Sequence, residues 1–421
     1  MAEKLTNEQQ AAVDSRERSL LVSAAAGSGK TKVLVERLFS YVEREGANLD
    51  DFLIITYTRA AASELRGKIA KALTERMERD PGNYHLRQQM LRVYRADIKT
   101  VDAFCTALLR ENCHLLGEDA RGHALRPDFR VLDENEAQVL RERVLAHTLD
   151  DFYDCLTPGG TLLADTLGAG RDDSALEDLV LELHAKLQAQ PYEDKWLEAQ
   201  RAFWRAVPDK IEDTPYGKIL LNEVRRKARH CKNLLQRAAQ EMCANDALNQ
   251  KYAPAFLDAS YQLEALEGKT AEGWDAARGV TIAFPRLAAV KDSDGGEMKA
   301  RMKSLWDNCK ETVKGFAEIF SASSDEAVED LRTMASAMLA LIDLTADFSR
   351  RYNEEKRRRN SADFSDQEHE AIRLLIGEDG APTELARIVS SRYREIMVDE
   401  YQDTNEVQNA IFRAVSREGK N

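Results

Sequence analysis

Residues 20–31, LLVSAAAGSGKT, decide the fold that this sequence predicts. The stretch opens on an apolar run, residues 20–22, which is long enough for a buried parallel strand and too short for a helix. A glycine-rich segment follows, and a helical pattern begins at Val33. Strand, loop and helix in this order are typical of a phosphate-binding loop, because small side chains let successive backbone N–H groups close around phosphate oxygens. The stretch therefore predicts a nucleoside triphosphate site in an α/β fold.

Two side chains of this loop carry the predicted chemistry. Lys30 places a charge near the β- and γ-phosphates, and the hydroxyl of Thr31 can hold Mg²⁺. The strict motif begins with Gly, whereas this chain has Ala24 there, and a Gly/Ser turn between a strand and a helix is the alternative interpretation. The predicted nucleotide-binding residues are Ala24, Ala25, Ala26, Gly27, Ser28, Gly29, Lys30, Thr31 and Lys32.

Composition limits the class of protein. With 421 residues, 43% of them apolar, the chain can form two or three domains. No apolar run approaches the ~20 residues of a membrane span, the amino-terminal residues are polar, and the six cysteines form no CxxC pair, so we expect a cytoplasmic protein. The net charge is −13, but the first 120 residues are neutral and residues 121–340 carry −9. Charge therefore neither supports nor excludes a DNA partner.

Upstream of the loop, residues 5–13 predict a short helix that Thr6 or Asn7 can cap. Within it, Gln9 offers an amide whose donor and acceptor match the paired donor and acceptor edge of adenine. A surface glutamine in a capped helix is the alternative.

Two further apolar runs, residues 51–56 and 98–101, predict buried strands that are each followed by a helix. Ligands of open α/β sheets bind outside the carboxyl ends of the strands. Tyr57, Thr58 and Arg59 follow the first run, and a ring beside hydroxyl and guanidinium groups suits single-stranded nucleic acid, although the Tyr could instead pack under a helix. A hydroxyl, a charge and an aromatic ring also lie at the end of the second run, on Thr100, Asp102 and Phe104.

Near the end of the sequence, a predicted strand over residues 394–398 runs into Asp399 and Glu400. Adjacent carboxylates at a strand end are expected partners of a phosphate loop. Asp399 can hold Mg²⁺ through its water shell, and Glu400 can take a proton from the attacking water.

The middle of the chain has a different character, with long helical patterns and almost no strand-like runs. Two basic clusters, residues 225–229 and 356–359, could contact duplex DNA, but a charged run on a helix is more often a solvated face.

In this order, the segments resemble superfamily 1 DNA helicases of the UvrD/Rep type. LTNEQQAAV is similar to their adenine-reading motif, AAAGSGKT to their phosphate loop, TYTRAAASELRGKI to the segment usually written TFTNKAA, and TVDAFC to TxHSFC. DFSD and VDEYQDT resemble the approach to, and the core of, the Mg²⁺ motif. PDFRVLDENEA, ADFSDQEHEAIRLL and the long helical insertion are most similar to the AddA group of helicase–nucleases, which is related to RecB. These motifs lie in residues 1–130 and 347–421.

The resemblance implies a RecA-like P-loop NTPase domain with a parallel sheet, formed by residues 1–120 and 345–421. An all-helical insertion domain, residues 121–344, would interrupt it. The parent would be an ATP-driven 3′→5′ translocase and helicase with an associated exonuclease, active in double-strand break repair and recombination. Its cofactors would be ATP and Mg²⁺, and its partners single- and double-stranded DNA and a second, AddB-like nuclease subunit.

The resemblance also implies residue roles. Gln9 would read adenine, Lys30 would hold phosphates, and Thr31 and Asp399 would hold Mg²⁺. Glu400 would activate water, and Gln402 would couple the nucleotide to DNA. The residues along single-stranded DNA would be Tyr57, Thr58, Arg59, Thr100 and Phe104.

Three departures from the family pattern stand out. Arg59 replaces the usual Asn, which favours a phosphate contact over a base contact. Asp102 replaces the usual His. The sequence also stops at Asn421, before the motifs of a second RecA-like domain. Cationic residues from that domain speed hydrolysis by ~10³–10⁵ in related phosphoryl-transfer enzymes, so we expect poor ATP turnover from this chain alone.

Two other classes remain as alternatives. One is a phosphate-loop kinase or signalling NTPase, which DNA would not stimulate. The other is a nucleotide-binding module that docks DNA or a second protein without motor activity.

Overall fold

The computed structural model describes residues 5–16, 19–25, 27–167, 174–291 and 296–417. These residues are mostly helical, with small parallel sheets. The strands are β1 (Phe52–Thr56), β2 (Asp97–Thr100), β3 (Arg130–Val131), β4 (Ser361–Ala362) and β5 (Glu395–Val398). The first helices are α1 (Asn7–Asp14), α2 (Lys30–Glu45), α3 (Arg59–Arg79), α4 (Tyr84–Arg92), α5 (Val101–Asn112), α6 (Glu134–Asp154), α7 (Pro158–Leu167), α8 (Ser174–Gln188) and α9 (Glu193–Arg205). The later helices are α10 (Pro215–Met242), α11 (Asp246–Lys251), α12 (Ala253–Lys269), α13 (Trp274–Arg278), α14 (Gly296–Lys314), α15 (Phe316–Ile319), α16 (Ser324–Arg358), α17 (Phe364–Leu375), α18 (Glu384–Arg392) and α19 (Glu406–Val415).

The larger sheet has the order β2-β1-β5, and β1 runs parallel to both neighbours. Leu53 of β1 is in register with Asp97 on one side and Ile396 on the other. The strands predicted at residues 51–56, 98–101 and 394–398 are therefore confirmed. The backbone pairing continues past β5, where the Asp399 N–H donates to the Ile55 carbonyl at 2.9 Å.

Helices cover both faces of this sheet. Leu53 and Ile55 belong to a core formed with α5, α17, α18 and α19. Phe52 and Ile54 face the other core, formed with α2, α3 and α4. Because side chains alternate along a strand and both faces are covered, β1 is a continuous apolar run.

The prediction of a strand at residues 20–22 is wrong. Residues 19–25 carry no regular secondary structure, and Leu20, Leu21 and Val22 are 42%, 76% and 40% exposed. An apolar run becomes a buried strand only where a neighbouring strand pairs with its backbone groups. Here the run lies in a cavity wall beside β5 without joining the sheet.

The described chain divides into two compact units. The first contains Met1–Cys155, Leu167–Leu197 and Asp343–Asn421 and holds all of the described strands. The second contains Leu156–Thr166 and Glu198–Ile342, and its described residues form helices around a core of α10, α12 and α14. Residues 121–155 and 167–197, which the sequence places in the helical insertion, belong to the first unit.

The two basic clusters at residues 225–229 and 356–359 form ion pairs with carboxylates of their own chain. The ion pairs are Arg226–Glu223, Lys227–Glu223, Arg229–Glu267, Lys356–Asp363, Lys356–Asp366, Arg357–Glu370, Arg358–Glu355 and Arg359–Glu355.

One of these cations is buried in the first unit. Lys356 is 1% exposed, and its Nζ lies 2.9 Å from Asp363 Oδ2 and 2.6 Å from Asp366 Oδ1. Burial acts to raise the pKa of Asp363, but the positive charge of Lys356 outweighs it and lowers this pKa to about 2. Burial raises the pKa of Asp366 to about 7. Asp363 and Asp366 share one ammonium group, which cannot neutralise both carboxylates, so Asp366 binds a proton readily.

Asp366→Asn is expected to flatten the pH dependence of stability. Between pH 3.8, the ordinary pKa of an aspartate, and pH about 7, the folded state holds a proton on Asp366 that the unfolded state has released. The free energy of unfolding therefore falls as pH rises through this window, by at most about 1.4 kcal/mol per pH unit. Urea unfolding across the window compares the slopes. Asp128→Asn, which alters a carboxylate that is 79% exposed, is the control and should keep the wild-type slope.

Candidate functional site

The loop before α2 contains two glycines with a left-handed backbone. Gly27 and Gly29 have φ values of 76° and 85°, which L side chains rarely adopt, so glycine is required there. Gly29 is the N-cap residue of α2, and no side chain caps this helix end. The first N–H groups of α2 and its positive dipole end are therefore suited to an anion.

Lys30 holds the loop together from the first residue of α2. Its Nζ donates to the Ala24 carbonyl at 3.2 Å, and the Ser28 N–H donates to the Ala25 carbonyl at 3.2 Å. Thr31 and Lys32 follow in the first turn and line the same cavity as Lys30. The predicted binding residue Ala26 lies outside the described residues.

Gln9 contacts this loop but also caps its own helix. Its Oε1 accepts from the Thr6 N–H at 2.9 Å, while the Thr6 hydroxyl accepts from the Gln9 N–H, which completes a capping box. Its Nε2 donates to the Ser28 carbonyl at 3.0 Å. Both polar ends of the amide thus have partners in this chain, and Gln9 ties α1 to the phosphate loop.

The end of β5 also lines this cavity. Asp399 and Glu400 line the same cavity of about 2080 Å³ as Lys30 and Thr31. Burial and the adjacent Glu400 charge raise the pKa of Asp399, while the positive charges of Lys68 and Lys30 act in the opposite direction. The loop and the two carboxylates, far apart in sequence, therefore line one cavity.

A buried ion pair helps to hold these two walls together. Arg37 of α2 is 7% exposed, and its Nε and Nη2 donate to the two carboxylate oxygens of Glu395 at 2.5 and 3.0 Å. Glu395 opens β5, whose far end leads to Asp399. Such two-point Arg–carboxylate pairs fix orientation as well as distance. The pair therefore sets α2, with its loop, against the strand that carries the carboxylates.

Glu400 has a left-handed backbone, with φ 55° and ψ 44°. For a residue with a side chain this conformation costs roughly 1–2 kcal/mol, and such strain clusters at functional sites. The Asp403 N–H donates to the Glu400 carbonyl at 2.9 Å, and Gln402 Nε2 donates to the Glu400 carboxylate. The sharp turn after β5 thus exposes Glu400 to the cavity with Gln402 beside it.

The residues after β1 lie at the same carboxyl edge of the sheet. Tyr57 is half-buried, burial raises its pKa, and its hydroxyl is hydrogen-bonded to the hydroxyl of Thr404. Thr58 caps α3 by accepting from the Ala61 N–H at 3.0 Å, and Arg59 is exposed. Tyr57 therefore connects the end of β1 to the loop that carries Glu400 and Gln402.

The residues at the end of β2 and just after it are placed differently. Thr100 is 6% exposed and caps α5, and Phe104 is 5% exposed and packs in the core. Helix α5 begins at Val101, directly after β2, and Phe104 lies on its buried side. Asp102 stays half-buried near Arg59: burial raises its pKa and the Arg59 charge opposes the rise. Of the predicted DNA residues, Thr58 and Arg59 are exposed, and Thr100 and Phe104 are buried.

Lys68 and Lys71 of α3 also line the cavity, although neither was predicted as a site residue from the sequence. Residues 68, 71, 72, 75, 76 and 79 of α3 all contribute to its wall. This spacing is one face of a helix. The periodicity was visible in the sequence, but the direction in which that face points was not.

These features define an α/β protein in which a glycine-rich loop and two adjacent carboxylates line one cavity. The chain belongs to the UvrD/REP helicase N-terminal domain family, whose model matches residues 5–421.

Relatives that are similar over almost the whole chain carry one name. The ATP-dependent helicase/nuclease A subunit of Ruminiclostridium cellulolyticum is 32% identical over 431 residues, which cover 98% of this chain and 34% of that protein. The protein of the same name from Desulfitobacterium hafniense strain DCB-2 is 36% identical over 446 residues, covering 99% of this chain and 31% of that protein. The chain thus spans about a third of the length of the curated relatives that it matches.

None of the described helices combines the length and apolar composition that crossing a membrane requires.

Proposed function

We propose that this chain is the ATP-binding and DNA-contacting part of an ATP-dependent DNA helicase/nuclease. Its RecA-like domain would be formed by residues 1–120 and 345–421, and residues 121–344 would be the helical insertion. The observation that carries this proposal is the shared cavity of Lys30, Thr31, Asp399 and Glu400. The family and the relatives' name support it.

The donor set of the cavity fits a magnesium–nucleotide complex. The uncapped end of α2 and Lys30 offer N–H groups and a cation to phosphate oxygens. Thr31 and Asp399 offer the hydroxyl and carboxylate oxygens that Mg²⁺ prefers, and the metal, when bound, offsets phosphate charge. Glu400 would take the proton of the attacking water, since its carboxylate faces the cavity without a cation paired to it in the described hydrogen bonds. To bind adenine, the Gln9 amide would give up its hydrogen bonds to the Thr6 N–H and the Ser28 carbonyl.

The proposed DNA path follows the carboxyl edge of the sheet, where Thr58 and Arg59 offer polar contacts to phosphates. Gln402 and Tyr57 would couple DNA binding to the nucleotide site. Gln402 contacts Glu400, and Tyr57 contacts Thr404 of the same loop. In the whole protein we propose 3′→5′ translocation, an associated exonuclease and a role in double-strand break repair and recombination. Its protein partner would be a second nuclease subunit.

Lys30→Ala is expected to weaken binding of Mg²⁺–ATP by this chain about 10–100-fold, because a charge-assisted hydrogen bond contributes about 1.5–3 kcal/mol. Isothermal titration calorimetry with a non-hydrolysable ATP analogue measures the change. Lys71→Ala removes a cation from α3, on another wall of the same cavity, and should have a smaller effect.

Equal effects of the two substitutions would contradict a phosphate-loop role for Lys30. The same titration with single-stranded DNA present separates the alternatives: a kinase or signalling NTPase would show no effect of DNA. A binding module would keep its DNA affinity whether or not nucleotide or Lys30 is present.

A further inference from the structure

The turn that carries Glu400 and Gln402 is held at both ends. At its start, the Asp399 N–H donates to the Ile55 carbonyl at 2.9 Å and so continues the pairing of β5 with β1. At its end lies α19, whose first turn is capped by Asn405. A left-handed residue with a side chain, such as Glu400, is strained and persists only where the surrounding structure fixes its backbone. The contacts at the α19 end therefore bear on where Glu400 lies.

A buried carboxylate of α17 supports the α19 end. Glu368 is 9% exposed, and its Oε1 accepts from Gln408 Nε2 at 2.7 Å. The amide of Gln408 is also bound at its other end, since its Oε1 accepts from the Asn405 N–H at 3.4 Å. In return, Asn405 Oδ1 accepts from the Gln408 N–H at 2.7 Å, which completes the capping box of α19. Glu368 therefore orients the amide that closes the helix cap directly after the turn.

The surroundings of Glu368 are those of an acceptor and not of an ion-pair partner. In the described part of the chain no ion pair contains Glu368, and its carboxylate accepts from the side chains of Gln408 and Asn405. Burial raises the pKa of Glu368, the two amides act to lower it, and the charge of nearby Asp102 raises it further. A buried carboxylate without a cation costs free energy that an apolar side chain of similar size does not. Packing alone therefore does not account for a glutamate at this position.

Glu368 can act on the nucleotide site only through the turn. The cavity that holds Lys30 and Thr31 is also lined by Glu400 and Gln402. The described lining of this cavity does not include Glu368, Asn405 or Gln408. A nucleotide in the cavity would thus touch the turn but not the side chains that fix its far end.

We propose that Glu368 is a positioning residue for ATP hydrolysis, which fixes the turn after β5 through Gln408 and Asn405 and so aims Glu400 at the attacking water. This rests on the proposed function, in which Glu400 takes the proton of that water. Because the phosphate loop binds the nucleotide independently of this contact, losing Glu368 should slow hydrolysis and leave nucleotide affinity unchanged.

Steady-state ATPase kinetics of the full-length protein with saturating single-stranded DNA test this role. Glu368→Ala is expected to lower kcat about 10–100-fold, which is the size of effect that a ~1 Å misplacement of a catalytic group can have. Affinity for a non-hydrolysable ATP analogue should not change. Glu368→Gln should retain most of kcat, because its amide oxygen still accepts from Gln408 Nε2.

Two further variants isolate the contact. Glu370→Ala alters the same helix but removes a carboxylate paired with Arg357 and Arg373, so kcat should stay at the wild-type value. Gln408→Ala should lower kcat as Glu368→Ala does. The double variant Glu368→Ala/Gln408→Ala should be no slower than either single variant, since all three lose the same bond.

An unchanged kcat in Glu368→Ala would overturn the proposal, as would additive losses in the double variant. If Glu368→Gln is as slow as Glu368→Ala, the charge acts and not the position, and the proposal is wrong. Loss of nucleotide affinity in both Glu368→Ala and Gln408→Ala would show a general structural role and would also refute it. If the wild-type protein shows no hydrolysis that DNA stimulates, the proposed function fails instead.

Discussion

Replacing Glu400 with Gln is expected to lower the rate of ATP hydrolysis about 10²–10⁴-fold while leaving nucleotide affinity nearly unchanged. Gln has the shape of Glu but cannot accept a proton from water at neutral pH. Its amide oxygen can still accept the hydrogen bond that Gln402 donates, so the turn after β5 should persist. The measurement is the steady-state ATPase rate with saturating single-stranded DNA, in a protein extended through a second motor domain.

Asp403→Asn is the matched control for this result. Asp403 is an exposed carboxylate in the same turn, but it does not line the cavity. Its loss should change the rate little. A similar loss of rate in both variants would assign the effect to negative charge near the site, and an unchanged rate in Glu400→Gln would exclude Glu400 as the general base.

Lys356→Met is expected to destabilise the first unit by about 3–5 kcal/mol, because it leaves two buried carboxylates without their cation. Native-state hydrogen exchange of the α17 amides measures the change where it occurs. Three of the four tryptophans lie in the second unit: Trp204, Trp274 and Trp306. The loss of unfolding free energy measured by tryptophan fluorescence in urea should therefore be smaller than the loss measured by hydrogen exchange.

Two further variants isolate the cause of this loss. Lys186→Met removes an exposed cation paired with Glu182 on α8 and should change stability by no more than about 0.5 kcal/mol. Lys356→Met/Asp363→Asn/Asp366→Asn removes the charges together, and Asn still caps a helix, so much of the lost stability should return. If the triple variant is as unstable as Lys356→Met, packing of the lysine stem is the cause, and the charge argument is wrong.

Local patterns in the sequence predicted the parts of the fold that depend on the chain's own backbone. The continuous apolar run of β1 predicted a buried strand, and Gly27 and Gly29 predicted a loop before a helix. Asp399 and Glu400 were correctly expected at the end of a strand. In each case the signal is carried by neighbouring residues, because strand pleat, helix period and glycine's conformational range are properties of short segments.

Only the tertiary structure decided how these segments meet. Residues 20–22 have the composition of a strand but lie unpaired beside β5, Phe104 turns into the core, and Lys356 of a basic cluster is buried between two carboxylates. Each outcome depends on residues distant in sequence that supply a strand edge, a core or a counter-charge. A single segment holds no information about those partners, so the sequence determined which conformations each segment can adopt, and long-range packing determined which segments join a sheet and which faces they bury.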